Sequence, residues 1–264
     1  MIMHPYTIDA LVERESALAS QHGVSLKLLE RLQHLRKNSA DNIPDSHKIA
    51  AWVVAPIMAG FAGWLAQNVR KHHALPLGVM REGRLLCRLI KQLHGIDAEE
   101  ADFNRSLSML AAADCGDDEA LVNWLVRTRI KPLTHKSLTE IVPAYHLLSN
   151  NPIDLYTAQK LVADWRGMGA ASPIKSLTQS AHVGVWQHWQ NLTNNSEAPT
   201  IALMDFACAG NIQRSLQTVL RHRNAPTHIT GLNFITTKGT THAKQQGCEL
   251  YGFLAEDGKP EWIA

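Results

Sequence analysis

The run Ile201-Ala-Leu-Met-Asp205-Phe-Ala-Cys-Ala-Gly210-Asn211-Ile-Gln213-Arg214-Ser-Leu-Gln-Thr-Val-Leu220 decides the fold. A short apolar segment ends on an acid and passes through small residues. It then opens a segment with Ile212, Leu216, Val219 and Leu220 at helical spacing. This is a strand–turn–helix unit. In α/β proteins such a unit puts the acid and the free N–H groups of the helix at the carboxyl end of a strand, where ligands bind.

A second unit of the same kind lies upstream. Leu75-Pro-Leu-Gly-Val-Met80 reads as a short buried strand, Arg81-Glu82-Gly83 as its turn, and Leu85, Leu86, Leu89, Ile90 and Leu93 as the apolar side of a helix. Downstream, residues 227–236 form a β-rich run and residues 237–247 a polar loop. Residues 248–254 are the last strand, closed by an Asp257-Gly258 turn. Between the two units the pattern is helical. Residues 97–118 are acidic and small, a loop or lid with one short helix, and Glu119 to Arg129 is a helix. Residues 138–193 are helices broken at Pro143, Asn150-Asn-Pro152, Gly167-Met-Gly169 and Ser172-Pro173, before a loop over 194–199. Ahead of the first unit, residues 7–37 read as helix with a break at Gly23, and residues 38–44 as a turn. Asp45 or Ser46 caps the next helix. The layout predicts one α/β domain over residues 1–264, with a small mostly parallel sheet. It carries a helical N-terminal segment (1–70) and a large helical insertion or cap (about 97–193).

Residues 49–66 hold no charge and reach the lower length limit of a membrane span. Six of them are alanine, Pro56, Gly60 and Gly63 interrupt them, and no second span accompanies them. The expectation is a buried helix kinked at Pro56, with no membrane partner.

Composition narrows the function classes. Of 264 residues, 45% are hydrophobic and 19% charged, which is globular and not disordered. A net charge of +2 without a basic run gives no reason to expect a nucleic-acid partner. The four cysteines, Cys87, Cys115, Cys208 and Cys248, form no close pair, which suits a reducing cytoplasm. Met1 to Asp9 lack the layout of a signal peptide, and the abrupt C-terminus suits a piece of a larger protein with further domains. His182 and His188 lack the spacing of a helical metal pair, and Trp165, Trp186 and Trp189 are read as packing aromatics.

The two turns carry the candidate chemistry. Asp205 at a strand end can act as base or nucleophile, hold a hydroxyl, or bind a cation such as Mg²⁺, with Glu82 as a second carboxylate. Arg81 and Gly83 on one side, and Gly210, Asn211 and Gln213 on the other, are the candidate substrate-binding groups for a phosphate. The bland reading of Asp205 and Asn211 is that they cap the helix. A third turn, Lys131-Pro-Leu-Thr-His135-Lys136-Ser137, has basic and hydroxyl groups but no glycine-rich cradle.

These residues resemble the C-terminal half of certain large bacterial proteins that carry a haloacid-dehalogenase-like hydrolase half and occur with surface-polysaccharide genes. The likeness lies in Ala55-Pro56, Phe61 and Trp64-Leu65, the Arg81-Glu82-Gly83 turn, and the turn from Asp205 to Gln213. Glu82 stands where that family has Asp, Ala207 where it has Gly, and no D-x-D-x-T nucleophile motif occurs. The two turns also resemble, more loosely, the phosphoribosyltransferase layout, with Phe206 in place of a second acid. The resemblances imply an enzyme of polysaccharide biosynthesis acting on a phosphorylated sugar or nucleotide, by phosphoryl or glycosyl transfer or hydrolysis. The other reading they allow is a non-catalytic binding or assembly module of a larger surface-polysaccharide protein.

Overall fold

The computed structural model describes Glu30, His34 and residues 54–127, 133–142, 145, 150–193, 200–225, 227–256 and 259–260. The expected helices of residues 7–37, the turn and cap over 38–46, the loop over 194–199 and the Asp257-Gly258 turn lie outside these residues, apart from Glu30 and His34. The chain divides into two compact units, Met1–Gly60 and Phe61–Ala264. The second holds the sheet.

Its strands are β1 (Leu75–Val79), β2 (Glu99–Ala101), β3 (Thr200–Cys208), β4 (His228–Thr236), β5 (Glu249–Glu256) and β6 (Lys259–Pro260). They lie in the order β2-β1-β3-β4-β5-β6, parallel except for the β5–β6 pair. The helices among the described residues are α1 (Ala55–Lys71), α2 (Gly83–His94), α3 (Arg105–Asp114), α4 (Asp118–Arg127) and α5 (His135–Ile141). They continue with α6 (Leu155–Gly167), α7 (Lys175–Thr193), α8 (Asn211–His222) and α9 (Thr240–Gln245). The fold is α/β, with a parallel sheet and a helical segment between β2 and β3, as the alternation of periods implies.

Strand alternation sorts the core into two layers. Leu77, Val79, Ile201, Leu203 and Ile229 face one side and pack with α3 to α8. At the centre of that layer is α3, which touches α4, α7 and α8. Its Ala111, Ala112 and Ala113 are fully buried, small enough for neighbouring helices to close on the backbone. On the other side, Phe206, Phe234 and Phe253 come from three adjacent strands and meet Phe61 of α1 at ring-centre distances of 5.2–6.2 Å.

Two segments differ from the sequence reading. The loop over 97–118 contains an edge strand, β2, and a buried helix, α3, so it is not a lid. The polar loop over 237–247 contains α9, where Thr240 and Ala243 are buried. Of the apolar stretch 49–66, residues 54–66 are described; the helix Ala55–Lys71 starts within them, with Phe61 and Leu65 fully buried. Among the described residues no helix is long and apolar enough to cross a membrane.

Candidate functional site

After β1 the chain moves to β2 on one side, and after β3 it moves to β4 on the other. Strand order therefore reverses between β1 and β3. The carboxyl ends of such a pair leave a crevice, since their following helices diverge to opposite faces. Both sequence-identified turns fall there, Arg81-Glu82-Gly83 after β1 and Cys208 to Asn211 after β3. The crevice has about 870 Å³ of open space, walled by Arg81, Glu82, Arg105, Asp205, Phe206 and Ile212 among others. A smaller cavity of about 30 Å³ lies under the β3–α8 turn and shares Arg105, Asp205 and Ile212 with the crevice.

Asp205 projects on the face of β3 that carries Leu203, while the next side chain, Phe206, projects on the other and joins the phenylalanine group. Alternation alone thus prevents residue 206 from standing beside Asp205 on one face. Burial pushes the Asp205 carboxyl up to about 6. The Phe206 N–H, donating to Oδ1 at 2.7 Å, pulls it back, the Glu82 charge raises it further, and Arg105 lowers it.

Gly210 begins α8 in the left-handed region at φ 78°, and a β-carbon there would lie 2.6 Å from Ala243 Cβ and 2.8 Å from Leu250 Cδ1. Backbone conformation and packing both require glycine at this turn. Gly210, at the cap position, has no side chain to cap the helix. The N–H groups of Asn211, Ile212 and Gln213 lack intrahelical acceptors and carry the positive end of the helix dipole. The reading of Asp205 and Asn211 as mere caps is therefore corrected. Asn211 lines the small cavity at the mouth of the helix.

Arg81 and Glu82 lie on the crevice wall and pair with each other at 3.9 Å, with the Arg81 side chain 92% exposed. Gly83 and Gln213 behave otherwise than expected. Gly83 is buried against the strand, where a β-carbon would fall 2.3 Å from the Gly78 carbonyl carbon. Its role is close helix–strand contact. The amide nitrogen of Gln213 donates to the carbonyls of Ile229 and Glu249, both at 2.9 Å, so it ties α8 to β4 and β5 and has no proton left for a phosphate. In the third turn the Thr134 and Ser137 hydroxyls form a capping box on α5 and His135 bonds the Tyr145 hydroxyl, while Lys131 and Pro132 lie outside the described residues.

Sequence reasoning missed Arg105, the first residue of α3, which lines both the crevice and the cavity. A signal existed. Helix first turns favour acids, and here a cation directly follows the cap Asn104, against the dipole.

Glu82 and Asp205 are the two carboxylates whose charges sense each other here. That matches the way Mg²⁺ is held, through one or two carboxylates plus substrate phosphate oxygens. No group of three or more His, Cys, Asp or Glu side chains gathers at one point among the described residues, so a substrate would have to complete such a shell.

A second polar cluster lies away from the crevice. His182 Nδ1 bonds Asp114 at 2.8 Å, Arg223 Nε donates to His182 Nε2 at 3.0 Å, and Cys115 Sγ lies 3.9 Å from both ring nitrogens. The residue types are those of a thiol hydrolase. Because Nε2 already accepts from Arg223, and burial pushes the thiol up to about 11, the cluster has no base for Cys115 and works as a structural tie.

Comparison of the chain with protein-family models, with curated proteins and with solved structures finds no match.

Proposed function

We propose that this chain is an enzyme acting on a phosphorylated small molecule, a sugar phosphate or nucleotide, bound in the β1–β3 crevice. One observation carries the reading. A half-buried carboxyl with a raised pKa, Asp205, shares a crevice at the strand-order reversal with an uncapped helix N-terminus and with Arg81 and Arg105. The phosphate rests on the N–H groups of residues 211–213, with Arg105 and Arg81 neutralising its remaining charge. Asp205 accepts a proton from, or holds, the hydroxyl that reacts. A carboxyl poised near 6 is ionised at neutral pH yet basic enough for that task. Glu82 and Asp205 are the residues that would hold Mg²⁺, which would supply charge stabilisation. The reaction class is phosphoryl or glycosyl transfer, in which positioning and charge stabilisation carry most of the rate gain.

The experiment is a thermal-shift screen of sugar phosphates, phosphoribosyl pyrophosphate and nucleotides, with and without Mg²⁺. A ligand at a hundredfold over its Kd stabilises the fold by about 2.7 kcal/mol. Any ligand found is then followed for turnover by phosphate or pyrophosphate release. An equal shift in Asp205→Ala and Arg105→Ala, or no shift with any compound, overturns the site. Binding without turnover assigns the crevice instead to a binding module.

A further inference from the structure

Where α4, α6 and α7 come together, a recess of about 260 Å³ is walled by Leu121, Val162, Trp165 and Ile174, all of them buried. Apolar walls alone would accept any oily body, but the rim is selective. The charged residues in the lining are Arg166 and Lys175, both cations, and among the described residues no carboxylate lines the recess. Asp118 and Asp114, which pair with these cations, lie outside the lining. Each cation keeps donors in hand. Lys175 Nζ carries three hydrogens and gives one bond, to Asp114 at 3.2 Å. Arg166 spends Nε on Asp118 and Nη2 on the Ala113 carbonyl at 2.7 Å, which leaves Nη1. The same bonds hold both heads in place, so little ordering is needed when a ligand arrives.

An apolar cavity of about 150 Å³ takes a benzene ring. The recess is larger and holds a ring with a short side chain, or an aliphatic body of that size. Water on the apolar walls finds few polar partners, whereas an apolar body is stabilised by the surface it covers. The recess is also separate from the crevice. Arg105, on the crevice wall, is the first residue of α3, and Ala113 and Asp114, which hold the two cations, are near its end. At 1.5 Å per residue those positions stand roughly 14 Å apart.

We propose that this recess is a second ligand site, for a small organic acid with one carboxylate and an aromatic or branched apolar body. The body lies against Trp165 and Val162, and the carboxylate accepts from Lys175 Nζ and Arg166 Nη1 at the rim. Inorganic phosphate suits the cations and not the walls. A neutral apolar compound suits the walls and brings the cations no partner. The inference does not depend on the phosphate reading of the crevice.

Titration calorimetry on the full chain tests it with three probes: 3-phenylpropionate, 3-phenylpropan-1-ol and acetate. The alcohol keeps the ring and chain without the charge, and acetate keeps the charge without the body. The aromatic acid is expected to bind about tenfold more tightly than the alcohol, the effect of one charge-assisted hydrogen bond. Acetate is expected to bind far more weakly than either. Arg166→Gln and Lys175→Gln should each remove most of the acid's advantage and leave the alcohol's affinity unchanged. Arg105→Ala should leave the acid's affinity as in wild type; a loss there places the acid in the crevice and overturns the recess as its site. The probe comparison uses the wild-type chain, so it stands even if a variant does not fold. Equal affinity for acid and alcohol, or undiminished acid binding in both glutamine variants, overturns the carboxylate contact. Acetate binding as tightly as the aromatic acid overturns the role of the apolar walls. Failure of acid and alcohol alike to bind overturns the site, with water as the occupant of the recess.

Discussion

Gly78 and Gly83 meet backbone to backbone, with no room for a β-carbon on either: one on Gly78 would fall 2.6 Å from the Gly83 carbonyl oxygen and 2.5 Å from Cys87 Sγ. The contact presses the start of α2 onto β1 and so sets where Arg81 and Glu82 stand. Gly83→Ala should cost about 1–3 kcal/mol, the usual penalty for overpacking a tight contact. Urea denaturation measures it. A loss under about 0.5 kcal/mol, the level of an ordinary surface change, would mean that the helix can simply move away.

Asp205 should make the protein less stable as the solution becomes less acidic. The folded carboxyl binds its proton with a pKa of about 6, against 3.8 without the fold, so the folded state holds more protons between those values. Stability then falls as pH rises from about 4 through about 6. Asp205→Asn should be more stable than wild type at pH 7, by on the order of 2 kcal/mol, and the gain should vanish below about pH 4. Melting curves across that range decide it. The same variant should lose turnover.

Arg105 is an exposed residue on the crevice wall, and its removal should act on ligands and not on the fold. Arg105→Ala is expected to weaken binding of phosphate esters by about tenfold or more, with a melting temperature close to wild type. Arg105→Lys should restore part of the affinity, since the charge returns without the planar fork. Calorimetry with glycerol 3-phosphate gives the comparison.

Asp114, at the end of α3, is tied to three side chains of α7. Its Oδ2 meets His182 Nδ1, and its Oδ1 accepts from Lys175 at 3.2 Å and Thr178 at 3.3 Å. Burial alone would raise its pKa, but the hydrogen bonds from His182 and Lys175 and the Lys175 charge outweigh that and hold it below the ordinary range. A lowered carboxylate stabilises above its unfolded pKa, and the contribution is lost as pH falls through the folded value. Asp114→Ala should cost about 2–4 kcal/mol at pH 7 by denaturant titration, and less near pH 3.

The strands that the sequence revealed are those with strong local patterns. The runs at Leu75, Ile201 and Cys248 are apolar and bounded by turns, and they form β1, β3 and β5. Strand β2 escaped because it is Glu-Glu-Ala at a sheet edge, with a single buried side chain. Helix α9 escaped because six residues of Thr, His, Ala, Lys and Gln show no apolar stripe. At the site, Asp205, Gly210 and the helix start were readable because a strand end followed by a glycine turn fixes its geometry locally. Gly83 and Gln213 look like ligand groups in one dimension. Their true contacts, Gly78 for one and the β4 and β5 carbonyls for the other, arise from packing between elements. Arg105 comes from a part of the chain far from both turns, and no local pattern places it beside Asp205.

The pairing of Leu75 with Ile201 also governs when the crevice can exist. During synthesis the Arg81 wall emerges first, and every helix from α2 to α7 must emerge before β3 arrives to face it. Closing so long a loop is slow, and until it closes the apolar edge of β1 stands open to wrong partners. This chain should therefore lean on chaperones until the two turns have met.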